Sequence, residues 1–438
     1  MRDISRRRTL ALVKLVVATA AATAILAPAA VPQTAAVALD QAVRLALDVQ
    51  PAMIQAEGER RNARATSRSA WGAYLPTFST SMSAARSNVG RVDFNTGRDV
   101  PSEYSYTLGL NANLELFDGF RRLAQRSAAS AGLDAADAAA RSQRFQVALA
   151  TKQVFYDAAA REELVRVGGA QQRRAERQLE VSVDKLRAGS ATRSDSLRAA
   201  FEVGNARIAL LQAQADLAAA QANLGRQIGA DQPARALPDT SLPPLPDTEK
   251  LRAAELERAP RVAESEAQSR AARAQVGAAR SQYWPSLNLS YNDSRQGTGS
   301  PFANLGSYPE TFSWRFGLSW TLFNGFQREA NQVQAAVARD VAESRAADAR
   351  RELGAQLAQQ IAALTTAYAQ IDIAAANVAA ATEDLRVLEK RYQVGAATIL
   401  EVLTSQTNLT QAQVNLVQTR FNYLIARAEL EALVGGEL

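Results

Sequence analysis

The chain repeats itself, and this restricts its fold more than any other feature. Leu116-Phe117-Asp118-Gly119-Phe120 returns 206 residues later as Leu322-Phe323-Asn324-Gly325-Phe326. The same offset carries Lys185 and Gly189 onto Arg391 and Gly395, and Gly229 onto Gly435. Upstream the offset is 209, where Arg61, Tyr74 and Pro76 meet Arg270, Tyr283 and Pro285. Long-period self-similarity means that one supersecondary unit is used twice. The two structural repeats span residues 39–232 and 248–438, with a proline-rich linker at 233–247.

Proline placement divides each repeat. All 14 prolines avoid Arg121 to Gln232 and Glu310 to Leu438. A proline inside a helix costs about 3 kcal/mol, so tracts this long without one admit very long helices. Apolar residues recur at 3–4 spacing in Ile361, Leu364, Tyr368 and Ile371, and again in Leu197, Phe201, Gly204, Ile208 and Leu211. Such seams suit coiled-coil packing. Gly189 and Gly395 are the expected tight turns between a long helix and a shorter one, and Gly168-Gly169 is a candidate interruption of the first long helix.

Between the prolines and the Gly-Phe motifs the apolar period changes from 3.6 to 2. Tyr104, Tyr106, Leu108, Leu110, Ala112, Leu114 and Leu116 alternate with Ser105, Thr107, Gly109, Asn111, Asn113 and Glu115. Phe312, Trp314, Phe316, Leu318, Trp320 and Leu322 alternate with Ser313, Arg315, Gly317, Ser319 and Thr321. Alternation of this length predicts strands. Their partners are expected near Phe78 to Ala84 and Leu287 to Tyr291, giving hairpins at about 77–117 and 286–323. Two readings of these hairpins stay open. They cover a water-soluble core, or they span a membrane with apolar faces to lipid and polar faces to water.

The N-terminus bears on that choice. Arg6-Arg7-Arg8 precedes an uncharged stretch from Leu15 to Ala27, and small residues follow at Ala27-Pro28-Ala29 and Ala36-Val37-Ala38. This is the layout of a cleaved signal peptide over residues 1–38, with cleavage expected near 29–38. Most of the formal charge of +6 lies in that segment, so a nucleic-acid partner is not expected. The chain has no Cys and no His, which removes disulfides, thiol nucleophiles and His-based acid–base chemistry. With no Walker A or zinc signature either, the chain is read as not an enzyme and no cofactor or metal is expected. An exported protein without a spanning helix enters a membrane only as strands. Four strands are too few for a barrel, whereas two copies give 8 and three give 12.

The duplicated halves, Tyr74/Pro76 and Tyr283/Pro285, and the two Phe-Asp/Asn-Gly-Phe strand exits together resemble the TolC-like outer membrane efflux proteins. The run Arg391-Tyr392-Gln393-Val394-Gly395-Ala396-Ala397-Thr398-Ile399-Leu400-Glu401 belongs to the same resemblance. It covers essentially the whole chain from Leu39. The resemblance implies a mainly helical chain with membrane β structure: a homotrimer whose 12-stranded outer-membrane β-barrel takes 4 strands per protomer and continues as a periplasmic α-helical barrel. Its implied role is the exit duct of a tripartite efflux pump or type I secretion system. The implied partners are a periplasmic adaptor, an inner-membrane pump and outer-membrane lipid.

Carried over by position, Asp195, Tyr392 and Glu401 match gate residues. Gly189 and Gly395 match helix-tip turns that meet the adaptor, and Pro76, Gly119, Pro285 and Gly325 match the barrel-to-helix junctions. Ala397 stands where a gate arginine would be, and Thr404 replaces a second aspartate, so the resemblance carries no ionic lock over to this chain. The competing reading is a soluble periplasmic coiled-coil structural or adaptor protein.

Overall fold

A computed structural model describes residues 35–86, 91–92, 97, 99–100, 104–237, 242–247, 259–298 and 308–436. The leader up to Thr34 lies outside the described residues. The elements begin with β1 (Ala35–Ala38), α1 (Leu39–Val49), α2 (Pro51–Gly72), β2 (Thr77–Ala85), β3 (Arg91–Val92) and β4 (Asp99–Val100). There follow β5 (Ser105–Phe117), α3 (Arg121–Arg187), α4 (Arg193–Ile228), β6 (Ala234–Leu237) and α5 (Pro260–Arg280). The last are β7 (Ser286–Thr298), β8 (Glu310–Ser319), α6 (Gln327–Gln393) and α7 (Ile399–Val434).

The two proline-free tracts become matched helix pairs. Helices α3 and α6 hold 67 residues each, and α4 and α7 hold 36 each. At 1.5 Å per residue the longer pair each run about 100 Å. Contrary to the expected break, α3 runs uninterrupted through Gly168-Gly169. A Cβ at Gly168 would lie 3.5 Å from the Leu210 side chain. The glycine thus brings α4 close, and packing outweighs the ~1 kcal/mol helix penalty.

Each long helix ends in the same device. Gly189 and Gly395 sit at φ 71° and 77°. The N–H of Ser190 donates to the Lys185 carbonyl at 2.8 Å, and that of Ala396 to the Arg391 carbonyl at 2.7 Å. These bonds close the last turn over a left-handed residue, which glycine adopts without a Cβ clash.

Among the described residues, three larger apolar clusters and a small one at Ala259, Val262 and Leu353 hold the helices together. One gathers Val37, Phe155, Leu224, Ile228 and Ala234. A second gathers Leu357, Ile361, Leu364, Ile371, Tyr423 and Leu430, so the predicted seam on α6 is a true core stripe. The Tyr423 hydroxyl donates to the Pro243 carbonyl at 2.9 Å, strapping linker residues 242–247 onto α7. The third surrounds Leu385, Tyr392, Ile399 and Val402 at the far helix ends. The predicted seam on α4 behaves differently. Leu197, Phe201, Ile208 and Leu211 are 59–71 % exposed.

Strand β1 pairs with β6 and β3 with β4, while β2, β5, β7 and β8 form a four-stranded antiparallel sheet in that order. Two of its bounds differ from expectation. Strand β7 continues to Thr298 through the polar run Asn292-Asp293-Ser294-Arg295, because it is central and is paired on both sides by β5 and β8. Strand β8 stops at Ser319, so Trp320 to Phe323 form an irregular exit rather than strand.

Candidate functional site

Register assigns every strand residue to a face, since directly paired residues point the same way. One face carries Phe78 and Met82, then Leu108, Leu110 and Ala112, then Leu287, Leu289 and Tyr291, then Phe312, Trp314, Phe316 and Leu318, with Asp293, Arg295 and Glu310 sharing it toward the loop end. The other carries Thr77, Ser79, Ser81, Ser83, Thr107, Asn111, Asn113, Asn288, Ser290, Asn292, Ser294, Thr311, Ser313 and Ser319. Charge on that polar face is confined, among the described residues, to Glu115 and Arg315. The apolar face is not covered by the chain's own core: Phe312, Trp314, Phe316 and Leu318 are 61–73 % exposed. Strands β2 and β8 are open edges. A soluble sandwich would bury that face; this sheet presents it outward.

The junctions below the sheet are built twice. Pro76 directly precedes β2 and Pro285 directly precedes β7. At the exits, Gly119-Phe120 and Gly325-Phe326 place two successive residues in the left-handed region, at φ 66° and 68° and at 67° and 65°. A left-handed phenylalanine costs roughly 1–2 kcal/mol. Each is braced edge-on by a ring three residues earlier, Phe117 and Phe323, with centroids 5.4 Å apart in both cases.

One arginine then ties each junction together. Asp118 Oδ2 accepts from the Arg122 backbone N–H at 2.8 Å and from its Nε at 3.1 Å. The Arg122 guanidinium also donates to the Ala73 and Leu116 carbonyls, both at 3.3 Å, and lies 5.0 Å from the Tyr74 ring centroid. Arg328 does the same, donating to the Thr321 and Leu322 carbonyls at 3.1 and 3.0 Å above the Tyr283 ring. Sequence reading passed over this pair, although the 206-residue offset maps Arg122 onto Arg328.

At the opposite ends of the helices, the predicted gate residues fall into two settings. Asp195 and Glu401 occupy the first turns of α4 and α7, Asp195 half-buried and Glu401 exposed. Each completes a capping box. The Thr192 N–H donates to Asp195 Oδ2 at 2.9 Å, and the Asp195 N–H donates back to Thr192 Oγ1 at 3.2 Å. Thr398 and Glu401 repeat this at 2.7 and 3.3 Å. The Thr-x-x-Asp/Glu spacing that signals such a cap was the missed clue. Tyr392, by contrast, is 5 % exposed inside its own chain. Lys185 sits over its ring at 4.2 Å and donates to its carbonyl, and the Ser182 hydroxyl lies 3.4 Å from its phenol oxygen. It therefore fastens the end of α6 to the end of α3.

The caps set a pH limit. The hydrogen bond from the threonine backbone N–H is the main cause that holds both carboxyls below their ordinary values of 3.8 and 4.5. A lowered carboxyl contributes its stability above its unfolded pKa and loses it as pH falls through the lowered value. Amide exchange at residues 192–195 and 398–401 is expected to be unchanged from pH 7 to 5 after correction for intrinsic rates, and to accelerate below about pH 4. Acceleration already between pH 7 and 5 would contradict the caps.

The same two-part pattern is found in known proteins. Residues 42–230 and 251–436 both match the family described as outer membrane efflux protein. The probable efflux pump outer membrane protein TtgC of Pseudomonas putida is 25 % identical over 373 residues, covering 83 % of this chain and 75 % of that protein. Protein CyaE of Bordetella pertussis is 29 % identical over 390 residues, covering 86 % and 79 %. In fold, the crystal structure of the outer membrane protein VceC from Vibrio cholerae is similar with a TM-score of 0.75 at 20 % identity, over 91 % of this chain and 96 % of that one. With an outward apolar sheet face, open edges and a family match over most of its length, the chain belongs to the outer membrane efflux proteins, non-enzymatic channel components of the Gram-negative outer membrane with a large periplasmic helical part.

Proposed function

We propose that three copies of this chain close into one duct and form the outer-membrane exit of a tripartite pump. The observation that carries this is the sheet: four antiparallel strands with one mainly apolar face whose charges lie at its loop end, one polar face and two free edges. Unpaired edges and an exposed apolar face are stable together only in lipid and only when another strand covers each edge. Strand direction alternates from β2 to β8, so β8 of one copy pairs antiparallel with β2 of the next. Three copies give 12 strands with a polar lumen.

The helices support the same closure. Within the chain, α3 of the first repeat covers α7 of the second: Arg174 donates to Thr410 at 3.1 Å, Val181 packs against the cluster of Ile399 and Val402 that Leu403 also joins, and Tyr156 meets Phe421. Shifted back by 206 residues, Leu403, Val414, Val417 and Phe421 become Leu197, Ile208, Leu211 and Ala215 of α4, which are exposed. Shifted forward, Val167 and Val181 of α3 become Ile373 and Val387 of α6, which are exposed too. We read the chain as a tandem duplication whose internal contact is repeated between copies, α6 of one against α4 of the next. On this reading strand β1 is part of the mature protein, since it pairs with β6 in register from Ala35 to Ala38. Signal cleavage then falls on the Ala27-Pro28-Ala29 side of the expected window.

The gate is placed at the helix tips. Asp195 and Glu401 supply a symmetry-tripled carboxylate ring, and Tyr392 clamps α6 to α3 until an adaptor engages the turns at Gly189 and Gly395. TtgC is named for an efflux pump, and efflux is the first reading of this duct, with one-step protein secretion as the other use of the architecture. Replacing Asp195 and Glu401 together by Ala is expected to lower the cation preference of the reconstituted pore and raise its leak. Unaltered conductance and selectivity in planar bilayers would remove these residues from the gate. For the assembly itself, outer-membrane fractions should yield a heat-modifiable species that crosslinks to three chains. A monomer in the soluble fraction would overturn the duct.

A further inference from the structure

We propose that Arg315 forms an anion-selective ring inside the membrane barrel, which favours solutes bearing phosphate, sulfate or carboxylate groups. The inference rests on the three-copy barrel proposed above. Register pairs Arg315 with Ser290, and Ser290 in turn with Asn113, placing the guanidinium on the polar face amid uncharged side chains. The other charge on that face, Glu115, is held by Arg121 at 2.7 Å near the strand end and does not neutralise it. Among the described residues no ion pair or hydrogen bond reaches Arg315, and it is exposed in the single chain.

Threefold symmetry turns this lone cation into a cluster. Strands about 4.8 Å apart and tilted by about 40° set the backbone of a 12-stranded barrel at a radius of roughly 12 Å. Three arginine side chains pointing inward then approach to roughly 10 Å of one another, about one Debye length at 0.1 M salt. They act as one fixed positive collar about four residues, or roughly 13 Å, along β8 from its base. Rings of basic side chains select anions, and a planar fork of donors suits oxyanions in particular. The duct thereby carries opposite fixed charges at its two levels, carboxylates at the helix tips and guanidinium groups within the membrane.

The test uses purified trimer in planar bilayers under a KCl gradient, comparing the parent with Arg315→Lys, Arg315→Gln and Arg315→Glu. The chloride-to-potassium permeability ratio is expected to hold in Arg315→Lys, to fall about fivefold in Arg315→Gln and to fall further in Arg315→Glu. Pyrophosphate added on the barrel side should reduce current through the parent and leave Arg315→Gln unaffected. Open pores with the same permeability ratio and the same pyrophosphate response in all four proteins would overturn the ring while leaving the duct intact. Single chains in place of trimers in all four preparations would overturn the barrel, and the ring with it.

Discussion

Replacing Phe201 with aspartate is expected to convert the trimer into monomers without unfolding the chain. Phe201 is 71 % exposed on α4, so its own protomer loses little when it changes. In the proposed ring it shares the α4 stripe of Leu197, Ile208 and Leu211, against which the next copy's α6 packs, and threefold symmetry applies the change at three interfaces. Burying a phenylalanine contributes roughly 1.5–3 kcal/mol. The aspartate in its place must also be desolvated, which adds to the loss. Three such interfaces weaken assembly by at least three to six powers of ten, at 1.4 kcal/mol per factor of ten. Circular dichroism should keep its helical signal while sedimentation shows a single chain. A Phe201→Asp trimer with the parent's heat resistance would take α4 out of the interface.

A contrast between two equivalent glycines has a comparable expected effect. At Gly119 a Cβ would lie 2.6 Å from both the Ser281 carbonyl oxygen and the Trp284 Cβ, at a φ of 66°. Neither neighbour can rotate away. The left-handed backbone and the overpacking together cost about 3 kcal/mol, so Gly119→Ala should fail in the single chain, seen as proteolysis before any trimer appears. At Gly325 the φ is 67°, yet no atom lies within 4 Å of the corresponding Cβ. The 209-residue offset converts Ser281 and Trp284 into Gly72 and Leu75, which in the proposed ring belong to the neighbouring copy. Gly325→Ala should therefore fold with a loss of only about 1–2 kcal/mol and accumulate as monomer. If Gly325→Ala forms trimers as abundant and as heat-resistant as the parent's, that junction does not face a neighbour.

Parts of this behaviour were legible one residue at a time. Proline-free tracts foretold α3, α4, α6 and α7, since a single interior proline would have broken them. Gly189 and Gly395 marked the tips, because a left-handed residue ends a helix most cheaply as glycine. The alternation from Tyr104 to Leu116 announced β5. The capping boxes at Thr192 and Thr398 were written in the sequence too, in the Thr-x-x-Asp/Glu spacing, and the tying arginines were written in the repeat. Reading Asp195 and Glu401 only as charges hid their local task of satisfying helix N–H groups.

Other features have no local signature. The second half of β7 is polar on both faces, and only its two neighbours make it a strand, through hydrogen bonds that sequence periodicity does not report. Gly168-Gly169 looks like a break until Leu210 is packed against it. Whether an apolar stripe is core or contact surface is likewise a tertiary matter: Ile361 and Leu364 are buried and Phe201 and Ile208 exposed, although all four lie on helical apolar stripes. Sequence alone therefore determined the repeated motifs, the extent of the proline-free helical tracts and the faces of the alternating strands, because backbone propensity and side-chain period act over a few residues. The tertiary structure decided which edges, stripes and glycines are left for a neighbouring copy, because that depends on which surfaces the folded chain has already covered.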